Sequence, residues 1–554
     1  MYGNCSHLPE VESVLTKLPQ QQQIWVQIGI PDRIHYLQQC LDATLAIAPL
    51  WANAICAAQG IDSTDPLAGE AWLTGPVAVL MNLRQLIDAL EAGGCPSPVR
   101  TRQDHSGQVI AQIFPDNLMD RLLWLGFKGE VWLQPGQPPS QGQIYRQPTQ
   151  GKVALVLGAG NVASIGPMDA LYKLFVENQV VLLKLNPVNG YGEPFLSQAL
   201  APLIADGFLQ IVQGGAELGQ ALCQHPAIDT VHLTGSHRTH DAIVWGTTPT
   251  EQGQRKVRLQ PLLTKPVTSE LGCVTPVLVV PGRWSQAELQ FQARHVASMV
   301  AHNASFNCVA AKVLVLAQGW PQRQAFLDCL YQALAQIPPR QAYYPGAQER
   351  YQGFCDRYPQ AQVLGAPAPN AVPWTVIPDV PPASGEYALT EEAFCGLLAE
   401  VSLEATTPTE FLAQAVPFAN EQIWGSLSCM VLIDPRSQRA CQQELQGAIA
   451  ALRYGGIGIN IWTGVIYQMG STTWGAFPGN PLTDIESGRG VVHNTYLFDH
   501  PQKSVVYAPF RIFPKPLWFA DHRNLRQVAQ RFAQLQHRPS WLRFIQVVIA
   551  ALRG

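Results

Sequence analysis

From Lys152 onward the chain alternates short apolar runs with helix-period segments, and this alternation restricts the fold more than any other feature. Val153-Ala-Leu-Val-Leu157, Val180-Val-Leu-Leu-Lys184, Leu209-Gln-Ile-Val212 and Thr230-Val-His-Leu233 read as buried strands. The first three are followed by stretches of helical character at about 168–177, 195–205 and 217–224. Repetition of this kind gives a parallel sheet with helices on both faces. Such sheets bind ligands at the carboxyl ends of their strands. The residues of chemical interest lie there: Asn161, Lys184, Gly214-Gly215 and Thr234-Gly235-Ser236.

The usual G-x-G-x-x-G fingerprint is not in register, because Gly158-Ala-Gly160 continues into Asn161 and Val162. Gly215 and Gly235-Ser236 stand where helices begin, and the free N–H groups of a helix start suit phosphate. Residues 247–263 read as a loop insertion. Glu270 then falls in Val267-Thr-Ser-Glu270-Leu-Gly272, ahead of the apolar run Pro276-Val-Leu-Val-Val280. A carboxylate in such company is costly unless it is paired, hydrated or functional. Residues 285–475 repeat the alternation and read as a second α/β unit. Within it, Phe306-Asn-Cys308 precedes the strand-like Val313-Leu-Val-Leu316, so Cys308 sits at a helix-to-strand junction where a side chain can face a cleft. A thiolate is a strong nucleophile toward carbonyl carbon. A cysteine alone is more often a small buried apolar residue.

Bulk properties set bounds. The 554 residues suffice for two large domains, with 47% apolar and only 14% charged residues. A net charge of −4 carries no nucleic-acid signature. No run of about 18 apolar residues stands out as a membrane span, and the first 30 residues lack the pattern of a secretory leader. Twelve cysteines without a C-x-x-C pair point to free thiols in a reducing, cytoplasmic setting and to no zinc site. His237 and His240 are expected at the surface, without metal.

Taken together and in order, these pieces resemble the aldehyde dehydrogenase superfamily over roughly residues 150–490. The resemblance rests on Asn161, the strand ending in Lys184, Gly215-x-x-x-Gly219, Leu233-Thr-Gly-Ser236, Glu270-Leu-Gly272, Phe306-Asn-Cys308, Glu392-Ala-Phe394 and Ser487-Gly-Arg-Gly490. It implies two doubly wound α/β domains, one for the dinucleotide and one carrying the thiol. It implies that Cys308 attacks an aldehyde and that Asn161 and the Cys308 N–H hold the oxyanion. Glu270 would activate water against the thioester. Lys184 would bind the adenosine ribose. Gly215, Gly219, Thr234, Gly235 and Ser236 would line the pyrophosphate region, and Gly272, Glu392 and Phe394 the nicotinamide end. The cofactor is NAD or NADP, because Pro187 stands where a ribose-binding Glu often occurs three residues after the lysine. The substrate would be a small-molecule aldehyde and the assembly a homo-oligomer. An acylating or reducing enzyme that exchanges the thioester with a thiol carrier, and an inactive scaffold of the same fold, are the alternatives.

The expected division is 1–150 as a mostly helical part of the cofactor domain, 151–284 as its core, 285–475 as the catalytic domain and 476–554 as a C-terminal extension. The last 54 residues hold nine Lys/Arg and one acid, Asp521, which makes them +8 against −12 for the rest. Leu525, Val528, Phe532 and Leu535 share one helical face, and Trp541, Phe544, Ile545, Val548 and Leu552 share another. Such basic amphipathic helices either dock on protein or lie in a membrane interface.

Overall fold

The computed structural model describes residues 8–147 and 150–554. The expectation about a leader at the N-terminus falls partly outside them. Two sheets organise these residues. In the smaller one, Val153–Leu157 lies between Val180–Lys184 and Thr230–Thr234, with Leu209–Val212 and Val267–Glu270 beyond. All four of those pairings are parallel, which leaves a topological switch between Val153–Leu157 and Thr230–Thr234. A short antiparallel strand, Gly488–Arg489, closes one edge against Val267–Glu270. The central strands are buried throughout, as expected when helices cover both faces of a parallel sheet.

The larger sheet has seven parallel strands at its centre: Pro276–Val279, Val313–Ala317, Trp374–Ile377, Leu397–Leu403, Ser428–Leu432, Gly456–Ile459 and Pro501–Tyr507. Antiparallel strands flank it, Gln362–Leu364 on one side and Arg100–Gln103, Val109–Phe114 and Lys128–Leu133 on the other.

These pairings redraw the boundaries read from the sequence. Residues 1–150 are not one part of the cofactor unit. Their helices pack on the smaller sheet, with Trp51, Leu155 and Leu182 in one apolar cluster, while strands 100–133 belong to the larger sheet. The larger sheet also takes Pro276–Val279 from before residue 285. Residues 476–554 are no extension, because Pro501–Tyr507 is inserted between Lys128–Leu133 and Gly456–Ile459. Local pattern cannot report such a pairing, since its partners lie far apart in sequence. The buried Lys503 on this strand donates to the carbonyls of Ile449, Ala450 and Leu452, at the end of helix Gln442–Ala451. That satisfies carbonyl groups that a helix C-terminus leaves open.

The stretch read as a loop at 247–263 contains a helix, Pro249–Arg258. Thr248 caps it by accepting from the Glu251 N–H, Pro249 starts it, and Glu251 pairs with Arg255 one turn on. It has no buried face, so hydrophobic periodicity could not reveal it. His240, expected at the surface, is buried beside Asp241, and among the described residues no cluster suits a metal. Helix Ile30–Gln59 is long and apolar enough to cross a membrane, contrary to the sequence reading, yet half of its most apolar window is buried in the fold. The eleven described cysteines are free thiols.

The terminal helices divide. Leu525–His537 turns Leu525, Val528, Phe532 and Leu535 into the core, which settles it as a docked helix. Trp541–Ala551 buries Phe544 and Val547 but leaves Trp541, Ile545 and Leu552 outside. The single apolar face expected there is thus split between two environments.

Candidate active site

The carboxyl edge of the smaller sheet meets the segments that enter the larger sheet at its amino edge. Glu270 ends strand Val267–Glu270, held on one side by Thr234 and on the other by Gly488. The Ser487 motif pins the two residues after it: Leu271 N–H donates to the Ser487 carbonyl at 2.8 Å, and Ser487 Oγ donates to the Gly272 carbonyl at 2.8 Å. Glu270 is thereby set with Oε1 at 3.7 Å from Cys308 Sγ. Trp474 Nε1, far along the chain, donates to the same oxygen at 2.7 Å. Oε2 has no hydrogen-bond partner, so one lone-pair face of the carboxylate is free.

Burial, and secondarily Asp169, push the Glu270 carboxyl up to about 8, while the hydrogen bonds from Trp474 and Cys308 act the other way. Burial and the neighbouring Glu270 and Glu392 also hold the Cys308 thiol well above its ordinary range, opposed by its own backbone N–H. Two anions at 3.7 Å in a dry site are unfavourable, so sulfur and carboxylate share protons as a pair. The proton can pass from thiol to carboxylate without crossing water.

Asn161 lies at the same place. Its Nδ2 donates to the Phe306 carbonyl at 2.9 Å, and an amide nitrogen carries a second N–H. Its carbonyl accepts from Asn303 Nδ2 at 3.0 Å and Tyr343 OH at 2.9 Å. The turn leading to Cys308 is strained. Asn303, Ala304 and Ser305 have φ of 54°, 53° and 70°, a left-handed conformation that non-glycine residues seldom adopt. The surroundings hold it there. Asn303 Oδ1 accepts from Gln59 and Tyr343, and its N–H donates to Glu70, which pairs with Arg340 at 3.1 Å. From the other side, Lys312 Nζ donates to Ser305 Oγ at 2.8 Å and to the Cys395 carbonyl at 3.1 Å. The sequence reading missed Glu70, Arg340, Tyr343, Lys312 and Trp474. Their partners are all remote or on another element, and only the run His302-Asn-Ala-Ser305 hinted at a turn.

Two cavities meet at Cys308. The first, of about 850 Å³, runs along the carboxyl edge of the smaller sheet and is lined by Lys184, Gly215, Gly219, Ser236, Glu270 and Glu392, among others. Helices Ala216–Gln224 and His237–Trp245 begin on it. A Cβ at Gly215 would meet nothing, whereas at Gly219 it would rest on the Lys184 stem at 3.5 Å. Ser236 caps its helix, and the Gly235 N–H donates to the Glu270 carbonyl at 3.0 Å. Thr234 also borders the cavity, and its hydroxyl donates to the buried Asp169 at 2.8 Å. A Cβ at Gly272 would fall 1.9 Å from Glu392 Oε2, so only glycine admits that carboxylate. Glu392 accepts from the Cys273 N–H at 3.3 Å, and Phe394 packs against Tyr344 and Phe306. Pro187 borders the same cavity near Lys184.

The second cavity, of about 240 Å³, leaves Cys308 and Asn161 on the other side between Ile165, Trp462, Val465 and Tyr467. Its walls are almost wholly apolar. The sulfur therefore faces a more polar, helix-capped groove on one side and a more apolar passage on the other.

The fold and this junction define a class: an α/β protein in which the carboxyl edge of one parallel sheet and a thiol at the entry to a second sheet share one cleft. Residues 181–346 match the model of the aldehyde dehydrogenase family, a stretch that holds Lys184, Glu270 and Cys308. Over 76 residues the chain is 37% identical to human 4-trimethylaminobutyraldehyde dehydrogenase, covering 14% of this chain and 13% of that one. The match to the curated relatives thus spans only about an eighth of their length. Similar solved structures include an NAD-dependent aldehyde dehydrogenase from Sinorhizobium meliloti, with TM-score 0.61, 19% identity and coverage of 92% and 88% of the two chains. An NADP-dependent glyceraldehyde-3-phosphate dehydrogenase from Bacillus halodurans, complexed with NADP, gives TM-score 0.61, 17% identity and coverage of 90% and 91%. The aldehyde dehydrogenase family match is thus confined to residues 181–346, whereas the fold is shared over most of the chain.

Proposed function

We propose that this protein oxidises an aldehyde to a carboxylate through an acyl thioester on Cys308, with NAD or NADP. The observation that carries this reading is the contact of 3.7 Å between Cys308 and Glu270 at the point where a polar groove and an apolar passage meet. Support for a dinucleotide comes from the groove: two helix starts and an open glycine suit the pyrophosphate, and Lys184, which lines it, would bind the adenosine ribose. Glu392 and Phe394 would hold the nicotinamide end. When bound, the dinucleotide supplies the hydride acceptor.

Glu270 takes the thiol proton as the sulfur adds to the aldehyde carbon. The oxygen left negative is met by the second N–H of Asn161 and by the Cys308 N–H. Donors of this kind typically contribute about 2.7–4 kcal/mol each when aimed at developing charge. Loss of hydride leaves the thioester. Once Glu270 has released that first proton to solvent, its carboxylate, oriented by Trp474, removes a proton from water as it attacks that carbonyl and returns it to the leaving sulfur, which frees the acid and the thiol. Acyl transfer to a thiol carrier has no need of a base held in this position.

The test is a panel of aldehydes with each dinucleotide, read by absorbance of the reduced cofactor, with and without coenzyme A, and with Cys308→Ser as the blank. Turnover without coenzyme A that vanishes in the blank supports the reading. Dependence on coenzyme A, or turnover that persists in the blank, refutes it.

A further inference from the structure

The apolar passage from Cys308 ends among side chains that stop lining it and start facing outward. Its far end is bounded by residues 122–125, by residues 512–518 and by the inner side of helix Trp541–Ala551. At this mouth Phe513 is 83% exposed and Leu125 74%. The outer side of the last helix adds Leu542, Ile545 and Ile549, with Leu552 just beyond. Counted with Leu552 and with Leu118 beside them, these three segments hold nine of the sixteen exposed large apolar side chains among the described residues. Apolar surface concentrated in this way marks an interaction site.

Charge narrows the choice of partner. The final 54 residues are formally +8, although Lys503 is buried in the larger sheet; Arg511 and Arg553 are exposed, as is Arg538, which lies 3.9 Å from Asp42. No acidic residue occurs in the last helix or in residues 509–520, and Asp521 is held by Lys515 at 3.2 Å. On the opposite rim, Asp116 precedes the short helix Leu118–Leu123 and Asp120 lies in its first turn, where burial and then Asp116 push the Asp120 carboxyl upward. A second copy seated face to face would bring two basic tails together and seal both mouths. An anionic lipid surface neutralises the tail, accepts the apolar collar and leaves the passage open to molecules dissolved in acyl chains.

We propose that this collar docks on an anionic lipid bilayer and that the passage draws from it an aldehyde with a long apolar chain. The substrate clause rests on the aldehyde oxidation proposed above, whereas the docking does not.

The experiment uses the full-length protein and flotation with two kinds of vesicle, phosphatidylcholine alone and phosphatidylcholine with one-third phosphatidylglycerol. Flotation is expected with the anionic vesicles and is expected to weaken as salt rises. Ile545→Asp with Ile549→Asp, outside the passage lining, should reduce it by about tenfold or more. The same double variant should oxidise propanal as the unaltered protein does, and should lose about tenfold in kcat/KM on decanal presented in anionic vesicles. Equal, weak flotation with both vesicles overturns the docking. So does conversion of a dimer to a monomer by the double variant, seen in sedimentation, with no change in flotation. Flotation without oxidation of any aldehyde upholds the docking and overturns the substrate clause with the reading beneath it. Oxidation of propanal and decanal without flotation does the reverse.

Discussion

The two cavities that meet at Cys308 are built in different ways. The polar groove comes from strand ends: Lys184, Ser236 and Glu270 each lie at or just past the carboxyl end of a strand of one parallel sheet. Beyond the shared floor at 161–165 and 302–309, the apolar passage is assembled from residues near 73–81, 122–127, 462–469 and 512–551, which share no sheet and no motif. The groove is fixed by the fold and tolerates little change. The passage can be reshaped by single side chains without disturbing the sheets. One side of the sulfur is therefore suited to a constant ligand and the other to a variable one.

The largest test of this contrast removes what both sides share. Cys308→Ser is expected to lower kcat by at least about 10⁴-fold and Glu270→Gln by about 10²–10⁴-fold, with dinucleotide binding retained in a fluorescence titration. Loss of dinucleotide binding in either variant would mean that the groove depends on the junction. Next in size is Glu70→Leu, which strands the buried Arg340 guanidinium and releases the left-handed turn at Asn303. A loss of about 3 kcal/mol in denaturant unfolding is expected, with kcat reduced more than the dinucleotide affinity.

The third prediction is a pH profile. Only ionised Glu270 can accept a proton, and its carboxyl is raised to about 8, so kcat/KM should climb as pH rises through about 8 and fall away below it. Trp474→Phe removes a donor that favours the ionised form, so the rising limb should move to higher pH, with about tenfold less activity at neutral pH. An unmoved limb would assign the titration to another group. The smallest effect belongs to the groove's far end. Pro187→Glu places a carboxylate near the ribose and should shift preference from NADP toward NAD by about tenfold, measured as the ratio of kcat/KM values.

Legibility in the sequence splits along the same line. The four strands from Val153 to Thr234 match their apolar runs almost residue for residue, because each run and its turn are local signals. Cys308, Glu270 and Asn161 could be named because they sit in short ordered motifs. Trp474 could not be named, since the bond to Glu270 spans 204 residues and nothing near it in sequence signals an acceptor. The insertion of Pro501–Tyr507 into the larger sheet was hidden for the same reason, as was the split of the last helix into a buried and an outward side. Periodicity reports that a helix has an apolar face, not what that face meets.

The placement of Pro501–Tyr507 governs how the protein can be made. The strands at 100–133 receive their neighbour in the larger sheet only when residue 507 has been synthesised, after every other strand of both sheets exists. During translation these three early strands carry an open edge for about 370 residues, from Leu133 to Pro501, the kind of edge that invites mispairing with nascent neighbours. The smaller sheet's parallel core is complete by residue 270 and can mature meanwhile. Assembly is thus staged: the smaller sheet can pair early, while the larger sheet waits for Pro501–Tyr507 and the smaller sheet's apolar cluster waits for helix Leu525–His537.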